Sequence, residues 1–299
     1  MAIATYTNQR ETEMYGTDSK HYSREGNVHW FTFDNWYDYI ALAETGETSM
    51  TDRSSRREGE TSWAGATWEQ SLDLGRNGWQ AGTDQLTDSI KGFQSILPSY
   101  RVRLETAMDI TGPGVLDFGR WATGHPEAWM IQQETAVIDP YAGKIIRIVF
   151  NISASGGVST REMMDKGATI VGLIDLLEQS GKRVELDLVH GTKPGPTSIR
   201  GRVRVKESDA PLDIERIAFA IAHPASFRRI AFSIWELAPE SARKECRVTA
   251  HGGYGQCEDW AEPDALYVPS SDMYNFSDDA QRVAWVTKQL EAQGVEFTD

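Results

Sequence analysis

Hydrophobic spacing divides the chain near residue 144. Beyond it, residues 144–153 (KIIRIVFNIS) form a nearly continuous run rich in Ile and Val. Such a run predicts a strand covered on both faces of a parallel sheet. A Gly/Ser turn leads to residues 160–179, where Met163, Gly167, Ile170, Val171, Ile174 and Leu177 keep the 3, 4, 7 spacing of a one-sided helix, with Gly181 as its stop. Val184, Leu186 and Leu188 alternate with polar residues and predict a second strand. For a strand–helix–strand unit of about 45 residues, the right-handed parallel crossover is the default. Ile199, Val203 and Val205 then alternate with Arg200, Arg202, Arg204 and Lys206, a third strand with one apolar and one basic face. A helix is predicted from Asp209-Ala210-Pro211 to about Ala222, stopped by His223-Pro224. Another is predicted over 226–237, and a last one from Ser277 or Asp278 to Gly294. Residues 247–250 and 265–268 are short strand candidates.

The first half is less regular. Residues 1–25 are polar and without period, and read as a flexible arm. Residues 28–42 are dense in aromatics, and 43–62 read as a surface loop. Thr67-Trp68-Glu69-Gln70 fits a capping box that opens a helix ending at Gly78. The Gly and Pro residues of 98–141 predict short strands and turns, with one strand over 131–138. The expected organisation is an irregular α+β region over 1–140, followed by an α/β domain over 141–299. That domain has a mostly parallel sheet flanked by helices.

Composition adds limits. The 299 residues carry 44 acids and 30 bases, a net charge of −14. Residues 1–140 hold 21 acids and 11 bases, so most of the excess (−10) lies there. A field of this sign repels phosphate and anionic lipid. No apolar run approaches the roughly 18 residues of a membrane span. Two cysteines, Cys246 and Cys257, make neither a disulfide framework nor a four-ligand zinc site, and the expected setting is a reducing cytoplasm. There is no Walker A loop, no dinucleotide glycine fingerprint and no Gly-x-Ser-x-Gly elbow.

The strand ending Asn151-Ile152-Ser153-Ala154-Ser155, with its polar turn and following helix, resembles the opening of a von Willebrand factor A domain. In that family the metal-ion-dependent adhesion site begins Asp-x-Ser-x-Ser. The resemblance covers roughly residues 144–297 and implies a Rossmann-like, von Willebrand A-like fold. It also implies a Mg²⁺ site in which Ser153 and Ser155 supply hydroxyls and Asn151 stands in the place of Asp. Thr192 or Thr249 would be the later Thr ligand, and Asp209 the later acid. A second resemblance, to uncharacterised proteins of tailed bacteriophages, rests on Ser54-Ser55-Arg56, on residues 63–74 (WAGATWEQSLDL) with Gly78-Trp79, and on residues 118–127 (FGRWATGHPE) followed by Ile146–Ser155. It implies a phage-encoded protein of the host cytoplasm.

Each candidate has a plain structural alternative. The Asn151/Ser153/Ser155 turn is an ion or anion cradle, or a capped strand-to-helix loop. The face Arg200, Arg202, Arg204 and Lys206 binds nucleic acid or another anionic partner, or protects an edge strand by charge. Trp30, Trp36, Trp63, Trp68 and Trp79, near Arg53, Arg56 and Arg57, stack bases or fill a core. The preferred expectation is a non-enzymatic accessory protein that binds another macromolecule, most plausibly a protein, through loops at the carboxyl ends of the sheet. Single-strand nucleic-acid binding and a role as a virion or assembly component are the alternatives.

Overall fold

The computed structural model describes residues 20–293, apart from 60, 85, 88–102, 111–113, 136–143, 180, 250, 251, 253, 261, 272–275 and 277. The chain runs β1 (Tyr22–Glu25), β2 (Val28–Phe33), α1 (Trp36–Thr45), α2 (Thr61–Ala64), α3 (Trp68–Asn77), β3 (Arg103–Asp109), β4 (Val115–Leu116) and α4 (Phe118–Ala122). It continues with β5 (Trp129–Thr135), β6 (Ile145–Asn151), α5 (Thr160–Gln179), β7 (Arg183–Thr192), β8 (Ser198–Lys206) and α6 (Ile214–Ala222). A π-helical segment (Ser226–Ala231), α7 (Phe232–Trp235), α8 (Glu240–Glu245), β9 (Leu266–Val268) and α9 (Asp279–Ala292) complete it.

Six strands form one sheet in the order β1-β2-β8-β7-β6-β9. The β2/β8, β6/β7 and β6/β9 pairs are parallel, and β1/β2 and β7/β8 are antiparallel. The sheet crosses the boundary expected at residue 140, because β2 pairs with β8 from His29↔Ile199 to Phe33↔Val203. Of the expected arm, residues 1–19 lie outside the described residues, and 22–25 are the edge strand β1.

The expected crossover is present as β6, α5 and β7, with α5 over the expected 160–179. Alternation assigns the two faces. Ile146, Ile148 and Phe150 of β6, Leu186 and Leu188 of β7, and Val203 of β8 point into the main core with α5 and α6. The other face carries Arg147, Glu185, Asp187, Arg200, Arg202 and Arg204. The Thr67 capping box of α3 forms as expected, and Gly78 leaves that helix at φ +87°. Helix α6 starts later than expected, capped by the Asp213 side chain on Arg216 N, and so Pro211 precedes it. The helix expected over 226–237 is a π-helical turn followed by α7. Of the strand expected over 247–250, the described residues show a single bridge, Thr249 to Gly252, and Ala250 lies outside them.

Helices α5 and α6 cross at Gly167. A Cβ there would lie 2.4 Å from Ala222 Cα and 2.5 Å from Ile221 O. Those are backbone atoms and cannot turn aside. Gly167→Ala is therefore expected to lower stability by about 1–3 kcal/mol, read from a denaturant midpoint. An unchanged midpoint would mean that the two helices separate freely.

Strands β3, β5 and β4 form a second, three-stranded antiparallel sheet. It realises the short strands expected over 98–141. The strand expected at 131–138 begins at Trp129, and residues 136–138 lie outside the described residues.

Candidate functional site

Asn151 ends β6 and is fully buried, as is Ser153. The Asn151 amide nitrogen lies 2.8 Å from Glu258 O, 2.9 Å from Asp259 Oδ1 and 3.0 Å from the Tyr267 hydroxyl. Its Oδ1 accepts from Ser153 N (3.0 Å). Ser153 Oγ accepts from Gly191 N (3.0 Å). Asp259 also accepts from Ser270 N (2.7 Å), Ser270 Oγ (2.8 Å) and the Tyr267 hydroxyl (2.8 Å). Burial works to raise the Asp259 carboxyl, and these donors more than offset it, holding it below its ordinary range. The same burial pushes the Tyr267 phenol upward.

A buried lysine completes this end of the strand. Lys166 of α5 donates to Pro269 O (2.5 Å) and lies 3.4 Å from Asn151 O, over the Phe150 ring. Of the three expected ligands in this turn, Asn151, Ser153 and Ser155, only Ser155 is exposed. Trp63 Nε1 closes over the same turn by donating to Gly156 O (3.2 Å). Asp209 is exposed but lies elsewhere. Strand β8 runs antiparallel to β7, so its end, at Lys206↔Leu186, and the turn holding Asp209 sit beside the amino ends of β6 and β7. Thr192 is buried and bridges to Cys257. This donor set does not fit Mg²⁺: the Asn151 oxygen is used by Ser153, and Asp209 belongs to the opposite edge. Among the described residues no group of three His, Cys, Asp or Glu is placed to hold a metal.

The amide at 151 is required by this geometry. Asn151→Asp would set a second carboxylate against Asp259 and remove the amide donor that Asn151 supplies to it. The variant is expected to lose about 3 kcal/mol at pH 7, with part of the loss recovered on acidification as the pair takes up a proton. Denaturant midpoints at several pH values test this. Rescue by added Mg²⁺ would show that the rim accepts a cation after all.

The basic strand face is present but neutralised. Arg200 makes a bidentate pair with Glu258 (2.9 and 2.6 Å) and lies over both Trp30 and Trp260, 5.1 and 4.6 Å from their ring centroids. Arg202 pairs with Glu262. Arg204 meets Asp187, Glu185 and Glu207 at 2.5, 2.6 and 2.9 Å. Arg147 reaches Asp187 from the other side (2.8 Å). Burial would raise the Asp187 carboxyl, but its bonds to Arg204 and Arg147 hold it low. Lys206 departs from the expected pattern. A register shift at Leu186/Asp187 turns it to the core side, where it donates to Val184 O and Ala210 O and pairs with Glu178. The bulge breaks the period-2 rule on which the four-residue face rested.

Trp36 and Trp63 of the first half also pack inward, with two buried arginines of the second half. Trp36 is buried and donates to Gly75 O (2.7 Å). Trp63 lies under Arg228, which is itself buried and donates to Trp63 O and Val158 O. Arg229, also buried, donates to Ala66 O, Ser55 O and Arg57 O. Sequence reasoning missed this anchorage. Two consecutive arginines in a helical segment carry no sign that they will be buried.

One segment has the opposite character. Residues 118–127 are all exposed, yet they are held in shape by their own bonds. Asp117 caps Gly119 N (3.0 Å) and Arg120 N (3.1 Å), His125 N donates to Arg120 O (2.9 Å), and Gly124 takes φ +73°. Phe118 and Trp121 are 70% and 56% exposed, with ring centroids 5.3 Å apart. With Ile110 and Val115 they make up four of the six exposed large apolar side chains among the described residues. The sequence had marked this segment only as a resemblance.

A family model described as a domain of unknown function, DUF7192, matches residues 9–296. No curated protein and no solved structure matches the chain.

Proposed function

Since the chain belongs to that family, whose description names no activity, we propose from its geometry that it is a non-enzymatic accessory protein that docks on another protein. The docking element is the loop of the small sheet that carries Phe118 and Trp121, with Ile110 and Val115 exposed on the same sheet's segments. The single observation that carries this reading is the exposure of Phe118 and Trp121, in mutual contact on a loop held by its own hydrogen bonds. Two large exposed aromatic side chains side by side mark an interaction site, and a preordered loop loses little entropy on binding. The β6–α5–β7 crossover, at the place the resemblance assigns it, supports a von Willebrand A-like scaffold for the larger sheet. A phage origin and a site of action in the host cytoplasm belong to the same reading.

This reading moves the docking surface away from the carboxyl ends of the sheet, where Asn151 and Ser153 are buried and spent on internal bonds. It also weakens the nucleic-acid alternative, because Arg200, Arg202 and Arg204 already face carboxylates. A photo-crosslinking residue placed at position 118, and separately at 155, tests it in producing cells. Protein crosslinks from 118 and none from 155 are expected. Crosslinks confined to 155 would return the docking surface to the sheet rim and sink the proposal.

A further inference from the structure

We infer that a cleft outside the carboxyl ends of β2 and β8 binds a free apolar amino acid, holding its carboxylate and its ammonium together. The inference goes beyond the docking reading and does not depend on it. β2 and β8 are parallel neighbours, and each runs on into a helix. β2 passes through Asp34-Asn35 into α1, and β8 passes through residues 207–213 into α6. Between these two connections lies a cleft of about 220 Å³, lined by residues of both. Open α/β sheets hold their ligands in this position, beyond the carboxyl ends of the strands.

Size and charge select the ligand. The volume is that of about seven waters, the scale of a single amino acid. The charged lining is balanced, with Arg204, Lys206 and Arg216 against Asp34, Glu207 and Asp213. The carboxylates, in a chain of net charge −14, oppose a bare anion, and the three bases oppose a bare cation. A ligand that brings one charge of each sign meets neither barrier.

The engagement of these groups shows which of them can serve it. Arg204 is held by Asp187, Glu185 and Glu207, and Lys206 by Glu178 and two carbonyls. Arg216 is held more lightly. It meets Asp213 at 3.2 Å, in a pair open to solvent that contributes little. Its guanidinium lies 4.6 Å from the centroid of the Tyr37 ring and donates to the Tyr37 hydroxyl, so it reaches from α6 across the cleft to α1. A carboxylate entering there gains two parallel N–H···O bonds from that fork. Asp34, exposed on the facing connection, is the acid for the ammonium. Val205, Pro211 and Ile217 also line the cleft, and with the Tyr37 ring they offer an apolar side chain a surface to lie on. A ligand of this size is expected to bind with a dissociation constant on the order of 100 μM.

Calorimetry and ligand-observed NMR on the full chain test this, with L-leucine and L-phenylalanine up to about 5 mM, well above that constant. Isopentylamine and phenethylamine, which lack the carboxylate, and 4-methylpentanoate and 3-phenylpropanoate, which lack the ammonium, serve as controls. At least one of the two amino acids is expected to bind, with both of its controls weaker by about tenfold or more. Arg216→Gln and Asp34→Asn, each with an unchanged far-UV spectrum, are each expected to weaken that amino acid by about the same factor. Arg216→Gln is expected to leave the matching amine unaffected, and Asp34→Asn the matching acid. Absence of binding by both amino acids overturns the inference. So does binding that ignores either substitution, or inorganic phosphate or putrescine binding as tightly as the amino acid.

Discussion

Lowering the pH from 7 to 5 is expected to remove about 4 kcal/mol of stability, through two buried histidines. His190 on β7 is fully buried, with its Nε2 2.9 Å from the Tyr39 hydroxyl, and Gly201 lies against its ring. Burial in this setting drives its pKa down to about 3. His223 sits beside Trp79 and Phe219, accepts from Ala225 N (3.1 Å), and is lowered by burial to about 4. Both are neutral in the fold across the physiological range. In the unfolded chain a histidine takes its proton near pH 6.5. Stability is therefore complete above 6.5 and falls as the pH drops, because only the unfolded state gains the proton. The loss levels off at the folded values. At pH 5, about 1.5 pH units below the unfolded value, each histidine accounts for about 2 kcal/mol. Asp187 and Asp259 do not contribute in this window, because their values lie below the ordinary 3.8. Urea midpoints at pH 7.5, 6 and 5 provide the measurement. His223→Asn keeps an acceptor for Ala225 N and is expected to halve the slope. A midpoint that stays flat from pH 7 to 5 would mean that both rings are hydrated in solution.

Glu236→Gln is expected to lose about 3–5 kcal/mol and to release the segment around Ser55 first. Glu236 is fully buried and accepts from Arg53 Nε (2.7 Å), Ser55 N (2.8 Å), Ser55 Oγ (2.5 Å) and the Tyr254 hydroxyl (2.9 Å). Burial and the carboxylate together push the Tyr254 phenol above its ordinary range. A glutamine keeps the shape but offers one acceptor oxygen. Its amide hydrogens would face donors, and Arg53 would be left without its counter-charge. Removing one member of a buried pair is costly for that reason. Arg228 and Arg229 hold the flanking carbonyls, so the segment is expected to loosen locally before the sheet unfolds. Faster tryptic cleavage at Arg56 and Arg57, together with a lowered denaturant midpoint, reports this. Arg229→Met is expected to give the same cleavage pattern, by leaving Ala66 O, Ser55 O and Arg57 O unserved. Unchanged cleavage in both variants would show that Ser55 is held by its backbone alone.

Much of the fold is legible in local pattern. The apolar run at 144–153, the spacing of 160–179 and the alternation from Val184 read correctly because both periods follow from backbone geometry alone. The Thr67 cap and its Gly78 stop are equally local, as is the start of α9 at Asp278. Pairing between distant segments is another matter. Nothing in residues 28–33 announces that they will lie beside β8, more than 160 residues later, since sheet partners are chosen by the packing of the whole core. The bulge that turns Lys206 inward is invisible for the same reason.

The candidate chemistry divides along the same line. Residue type and spacing placed Asn151, Ser153 and Ser155 at the end of a central strand, and Arg200, Arg202 and Arg204 on one face, and both placements hold. Whether those groups are available was settled by partners far away in the chain. Asp259 and Tyr267 occupy Asn151, while Glu258, Glu262 and Asp187 occupy the arginines. Availability is a matter of three-dimensional charge balance, because a polar group leaves water only where another group meets it. The loop at 118–127 is the converse case. Its aromatics look like core by composition, and only the folded arrangement leaves Phe118 and Trp121 facing outward. Local sequence dictates which elements form and which side chains share a face, because those depend on neighbours a few bonds away. Tertiary packing alone decides which of those side chains remain free, because that depends on what the rest of the chain brings against them.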